Sequence, residues 1–148
     1  MMRDEPRLIP PGAEDEVRAC FPLMRELRPH LVSEDDFVDR WRRQEAAGYR
    51  LLVLWENGEP VALAGFRVQE ILVHGLHLYV DDLVTRTGRR RAGHGKAIMD
   101  ALKQEAARLS CRKILLDTPT GNVLGQRFYY REGFALTAFR FMLDRGAA

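Results

Sequence analysis

The sequence predicts a mixed α/β fold, a central, mostly antiparallel sheet with helices on both faces, and three features carry that expectation. The first third has apolar residues at helical spacing; an Asn57-Gly58 pair joins two β-rich runs in the middle; and a strand–helix–strand order follows, which needs a crossover and hence one parallel pair. With 148 residues, 46% hydrophobic and 30% charged, the chain is large enough for a real core. It contains no repeat, low-complexity tract or long linker, so residues 1–148 read as one domain.

Arg7 to Ile9 predicts a short first strand, stopped by Pro10, Pro11 and Gly12. Val17, Phe21, Met24 and Leu27 recur at helical spacing, with Pro22 expected to kink or split that helix. Ser33 with Asp36 three residues on resembles a capping box for a second helix, whose apolar face would carry Phe37, Trp41 and Ala47 before Gly48 ends it. Tyr49 to Trp55 and Pro60 to Val68 predict a hairpin across Asn57-Gly58, and His77 to Thr85 a third long strand. Ile98, Leu102, Ala106 and Leu109 line one face of a helix over 93–109. Lys113 to Thr118 predicts a buried strand, Asn122 to Arg131 a helix, and Phe134 to Leu143 one or two closing strands.

The net charge of +2 does not by itself imply a nucleic-acid partner, and no apolar run approaches a membrane span. The charged start MMRDEPRLIP is unlike a signal peptide, so a cytoplasmic protein is expected. Cys20 and Cys111 lie far apart without a CxxC, which suggests neither a disulfide framework nor a zinc cage. Positive charge is local instead: Arg86, Arg89, Arg90, Arg91 and Lys96 fall together with no acid among them.

That cluster lies where a strand runs into a glycine-rich turn opening a helix, TRTGRRRAGHGK. Backbone N–H groups, helix dipole and cations there converge into a socket for phosphate. Arg90-Arg91-Ala92-Gly93-His94-Gly95 fits R-x-x-G-x-G, in which glycines let the backbone approach an anion closely. A Walker A loop is excluded because Gly95-Lys96 is followed by Ala97, and a dinucleotide fingerprint is disfavoured because the third glycine is missing. Ser33 and Ser110, the only serines, lie in no nucleophile elbow. His74 and His77, read as strand residues three apart, would face opposite ways and share no metal, so no metal is expected.

Downstream lies Asn122-Val-Leu-Gly-Gln-Arg-Phe128-Tyr129-Tyr130-Arg-Glu-Gly133-Phe134. With the Arg90 turn before it, this segment resembles the GCN5-related N-acetyltransferase (GNAT) family, which carries [QR]-x-x-G-x-[GA] after a long strand and N-x-x-A-x-x-F/L-Y-x-x-x-G-F on the next helix. The resemblance is good over the C-terminal half and extends to the N-terminal half only as element order. It implies a sheet splayed between two strands and an enzyme that moves an acetyl group from acetyl-CoA to a primary amine by direct attack in a ternary complex. It further implies that Arg90, Arg91, Ala92, Gly93, His94, Gly95 and Lys96 hold the pyrophosphate. Main-chain groups of Leu83, Val84 and Thr85 would pair with the pantetheine arm, Asn122 would contact it from the other side, and Tyr129 would sit at the sulfur. Gly125 departs from the family's usual alanine.

A phenol suits the sulfur, because expulsion of a thiolate is eased by a hydrogen-bond donor; full proton transfer from tyrosine (about 10) to a thiolate (about 8.5) is uphill. The acceptor amine must lose a proton, and Asp81 and Asp82, with Glu70 ending the preceding strand, are the carboxylates at hand. On a regular strand Asp81 and Asp82 face opposite sides, so one of them enters a given cleft unless a bulge intervenes. These acids lead to the expectation of a small or peptidic amine bearing positive charge, no membrane or nucleic-acid partner, and a homodimer as an allowed assembly. The alternatives are a catalytically inactive CoA-binding sensor and a basic nucleic-acid-binding module; salt-dependent retention on DNA without acetyl-CoA binding would mark the latter.

Overall fold

The computed structural model describes residues 5–87 and 93–147, so Arg90, Arg91 and Ala92 lie outside the described residues. The chain divides into two compact units, Met1–Leu116 and Asp117–Ala148.

The first unit contains β1 (Arg7–Leu8), α1 (Glu14–Ala19), α2 (Phe21–Leu27), α3 (Glu34–Ala46), β2 (Arg50–Glu56), β3 (Glu59–Ile71), β4 (Gly75–Thr85), α4 (His94–Arg108) and β5 (Lys113–Leu116). Its strands form one sheet in the order β1-β2-β3-β4-β5. The first three pairings are antiparallel, and β4 pairs with β5 in parallel through the α4 crossover.

Local chemistry sets the element ends. The predicted first helix is split at Cys20, and Pro22 occupies the first turn of α2, where its missing N–H leaves no hydrogen bond unmade. Ser33 caps α3 by accepting from the Asp36 N–H at 3.1 Å, while Asp36 Oδ2 accepts from the Val32 N–H at 3.0 Å. Phe37, Val38 and Trp41 form the buried face of α3; Ala47, expected there, is the exposed C-cap, and Gly48 follows at φ 103°. The β2–β3 turn places both Asn57 (φ 52°) and Gly58 (φ 76°) in the left-handed region, as a type I′ turn requires.

Alternation along the strands builds a core on each face of the sheet. Leu51, Val53 and Leu63 join Val17, Leu23, Phe37 and Trp41 on the side of α1–α3. Leu52, Leu54, Ala62, Ala64 and Phe66 are buried on the opposite side, where α4 packs with Ile98, Met99, Leu102 and Ala106. Each large apolar side chain so buried contributes about 1.5–3 kcal/mol. No helix among the described residues is long and apolar enough to cross a membrane.

The second unit contains α5 (Val123–Arg131), capped by Asn122. Residues 134–147 form no strand, contrary to the expectation from their β-rich composition. A strand exists only as part of a ladder, and the described residues of this unit hold no other strand to pair with.

Candidate active site

The decisive local feature is a bulge in β4. Gly65 of β3 pairs with Asp82 and Phe66 pairs with Val80, which leaves Asp81 as the extra residue. The bulge defeats strict alternation, so the adjacent carboxylates Asp81 and Asp82 both line one cavity. That cavity, of about 390 Å³, is closed by Met24 of α2 with Arg28, His30 and Leu31 beyond it, by Phe37, Arg40, Trp41 and Gln44 of α3, and by Tyr49 and Tyr79. Glu70 is exposed on β3, paired with Leu76, and does not line it.

Both carboxylates are held by the chain's own cations. Arg28 Nε donates to Asp82 Oδ1 at 2.9 Å, Tyr49 Oη donates to Asp82 Oδ2 at 2.6 Å, and Arg28 Nη2 donates to the Asp81 carbonyl at 2.9 Å. Arg67 straddles Asp81, with Nε 2.9 Å and Nη2 2.7 Å from Oδ2, and its guanidinium lies 5.4 Å from the Tyr49 ring centroid. Burial raises the Asp81 carboxyl above the ordinary aspartate range, with Arg67 pulling the other way. Burial, reinforced by the charge of Asp82, lifts the Tyr49 phenol well above its usual value and keeps it a donor.

Gly65 is what admits Tyr49. A Cβ there would stand 1.8 Å from Tyr49 Oη, so the ring lies where any other residue would place its side chain. Tyr49, Arg28 and Arg67 went unnoticed as site residues from the sequence alone. The lone glycine inside a strand pattern was the signal that could have pointed to them.

Beyond the bulge β4 runs on to the expected cofactor strand. The β5 pairing stops at Val80↔Leu116, whereas Leu83, Val84 and Thr85 continue their ladder with β3 through Ala64, Leu63 and Ala62. On the β5 side the main chain of this stretch has no strand partner among the described residues, which makes it an open edge for an extended ligand.

Of the glycine-rich turn, Gly93, His94, Gly95 and Lys96 are described. Gly93 caps α4 at φ 79°, a conformation glycine adopts without strain. The first intrahelical bond runs from the Ala97 N–H to the Gly93 carbonyl, so the N–H groups of His94, Gly95 and Lys96 precede it, and the first turn carries no acid. That end of the helix suits a phosphate. The His94 ring is buried, with Nε2 3.3 Å from Glu56 Oε2. His74 lies in a turn and His77 is buried with Nδ1 2.9 Å from the Gly75 carbonyl, so the histidines are not the strand pair that the sequence suggested. Burial pushes the Cys20 thiol up to about 12, which leaves it inert.

In the second unit, Asn122 Oδ1 accepts from the Gly125 N–H at 3.1 Å and Asn122 Nδ2 donates to Thr118 Oγ1 at 3.0 Å. A Cβ on Gly125 would stand 2.3 Å from Asn122 Nδ2, so glycine at this position makes room for the cap. The Tyr129 ring sits edge-on to Phe128 and Phe134, with centroids 5.6 and 5.9 Å away, and burial raises its phenol above the ordinary value.

Residues 13–134 match the acetyltransferase (GNAT) family. Over 134 residues the chain is 29% identical to a Bacillus subtilis (strain 168) protein named "Uncharacterized N-acetyltransferase YhdJ", covering 87% of this chain and 92% of that one. Its fold is similar to that of a ribosomal-protein-alanine N-acetyltransferase from Brucella melitensis biovar Abortus 2308 (TM-score 0.80, 19% identity, 95% and 99% of the two chains). It is also similar to that of AAC(6')-Iy in complex with the bisubstrate analogue CoA-S-monomethyl-acetylneamine (TM-score 0.78, 17% identity, 99% and 100% covered).

Proposed function

The chain belongs to the acetyltransferase (GNAT) family and is an acyl-CoA-dependent N-acetyltransferase, and from that premise we propose that it transfers acetyl from acetyl-CoA to a primary amine by direct attack in a ternary complex. The observation that carries this is the course of β4: carboxylates in a cavity at the bulge, then an open strand edge at Leu83–Thr85. The CoA-linked bisubstrate analogue held by AAC(6')-Iy, whose fold is alike, supports the same division of labour.

In this scheme the pyrophosphate lies against the Arg90–Lys96 turn, with Arg90, Arg91, Ala92, Gly93, His94, Gly95 and Lys96 supplying backbone N–H groups and positive charge. The pantetheine arm runs along Leu83, Val84 and Thr85, with Asn122 on its other side. The amine nitrogen attacks the thioester carbonyl carbon, the C–S bond breaks, and the electron pair leaves on sulfur. Tyr129, whose phenol stays protonated, donates a hydrogen bond to that thiolate. Asp81 receives the amine proton directly or through water; burial makes it a stronger base than an ordinary aspartate. Asp82 holds Arg28 and the Tyr49 hydroxyl in place beside it. We read residues 1–148 as a single catalytic domain, needing no metal, in a cytoplasmic setting, with a homodimer as the assembly to test.

Thermal shift and free-thiol release together test the scheme. Acetyl-CoA at a hundredfold excess over Kd should stabilise the protein by about 2.7 kcal/mol, and Gly93→Asp should abolish this by placing a negative side chain at the phosphate socket. Thiol release should follow on adding an amine. Equal shifts in wild type and variant would remove the cofactor assignment, and binding without turnover on any amine would mark a CoA-binding sensor instead.

A further inference from the structure

The cavity is lined by the carboxylates Asp81 and Asp82 and by Arg28 and Arg40, with Arg67 on Asp81 from beside it, and their hydrogen bonds are distributed unevenly. Both Asp82 oxygens are engaged, one by Arg28 and one by Tyr49, and Arg67 spans both Asp81 oxygens. Arg28 spends Nε and Nη2 on β4 but makes no bond through Nη1 among the described residues. Arg40 donates through Nε to Asp36 at 2.9 Å, and neither of its Nη groups makes a hydrogen bond among the described residues. Phe37, Trp41 and Leu31 add apolar and aromatic surface to the same lining.

An ammonium entering this cavity meets carboxylates already neutralised by guanidinium groups. A carboxylate meets part-exposed guanidinium N–H groups, Arg28 Nη1 and the two Nη of Arg40, that no protein acceptor among the described residues takes up, and the Arg40 pair offers the fork that suits it. We infer that the acceptor, on the acetyltransferase assignment above, is a small amine that also carries a carboxylate on an apolar or aromatic body, an amino acid or a close analogue, held through Arg28 and Arg40. Arg28, Arg67 and Arg40 are each already paired with an aspartate, Asp82, Asp81 and Asp36, so the cavity offers hydrogen bonds rather than surplus charge, which suits a monoanionic carboxylate over a dianionic phosphate. This differs from the cationic amine expected from Asp81 and Asp82 in the sequence, and the two are separated by the measurement below.

Thiol release is measured with acetyl-CoA and L-phenylalanine, L-phenylalaninamide, phenethylamine, spermidine and O-phosphoethanolamine, with thermal shift by acetyl-CoA as a separate readout. The kcat/KM for L-phenylalanine should exceed that for its amide by about tenfold or more. Arg40→Gln, at a half-buried position of α3, should raise KM for the acid by about tenfold with kcat nearly unchanged and change KM for the amide far less, and Arg40→Lys should recover part of the loss. Faster turnover of spermidine, the amide or the phosphate, or an equal effect of Arg40→Gln on acid and amide, overturns the inference while the enzyme assignment stands. An acetyl-CoA shift without turnover of any of the five amines also overturns it. No shift and no thiol release overturns both.

Discussion

Gly65→Ala should be among the most damaging single-methyl additions in this protein. The new Cβ would lie 1.8 Å from Oη, 2.3 Å from Cζ and 2.6 Å from Cε2 of Tyr49, atoms of a rigid ring that is 3% exposed and cannot swing into solvent. Expelling it breaks the 2.6 Å bond to the Asp82 carboxylate, a charged partner, at a cost of about 1.5–3 kcal/mol. The overpacking costs about 1–3 kcal/mol more, while alanine in place of glycine in a strand returns about 0.5–1 kcal/mol. The net loss is about 2–5 kcal/mol, against a total stability of about 5–15 kcal/mol for a typical domain. Urea titration followed by tryptophan fluorescence reads this as a fall in midpoint of about 1 M or more at unchanged slope. Tyr49→Phe removes only the hydroxyl and should lose about 1.5–3 kcal/mol. In a Tyr49→Leu background the added methyl should cost less than about 1 kcal/mol, because the clash partner is gone. A Gly65→Ala midpoint equal to wild type, or the same cost in both backgrounds, would show that the ring does not occupy the space beside Gly65.

Tyr129→Phe should lower kcat by on the order of 10²-fold while leaving acetyl-CoA affinity nearly intact, with Tyr130→Phe as a control that changes little; equal effects in steady-state assays would mean the wrong tyrosine was assigned to the sulfur. Asp81, whose carboxyl is raised chiefly by burial, binds more protons folded than unfolded in the window from the ordinary aspartate value up to its folded one. Stability from this group is therefore greatest below that window and falls as pH rises through it, so the wild type minus Asp81→Asn difference in denaturation free energy should decline across it; a flat or rising difference would refute the assigned direction.

Elements with strong local chemistry were legible in the sequence: the Ser33 cap, the Asn57-Gly58 turn, the Pro22 break and the apolar face of α4 all follow from side-chain preferences within a few residues. The bulge at Asp81 was not, because it depends on which β3 residue stands opposite, a long-range fact; only its condition, that both acids meet if alternation fails, could be written down beforehand. The same limit hid the pairing of Asp82 with Arg28, whose two residues lie far apart in the chain. The β-rich composition of 134–143 misled for a related reason, since propensity names a willing strand but cannot supply its neighbour. At Gly125, where the family usually has alanine, the space a Cβ would take is filled by the Asn122 side-chain amide, a contact the sequence does not show.

The extra residue in β4 also constrains how such a chain can vary. Substitutions at Tyr79 or Asp81 alter the acceptor cavity and leave Leu83–Thr85 in register with β3. Deleting Asp81 does something else: Val80 and Asp82 already pair with the adjacent Phe66 and Gly65, so the ladder closes without the bulge, Val84 stays against the α1–α3 core, and one of the two carboxylates leaves the cavity. On the proposed scheme new acceptors are thus within reach of point mutation or of a one-residue deletion at the bulge, whereas a residue inserted between Asp82 and Thr85 must be bulged out or turn the later side chains over, so insertions should be rare there even where residue identity drifts freely.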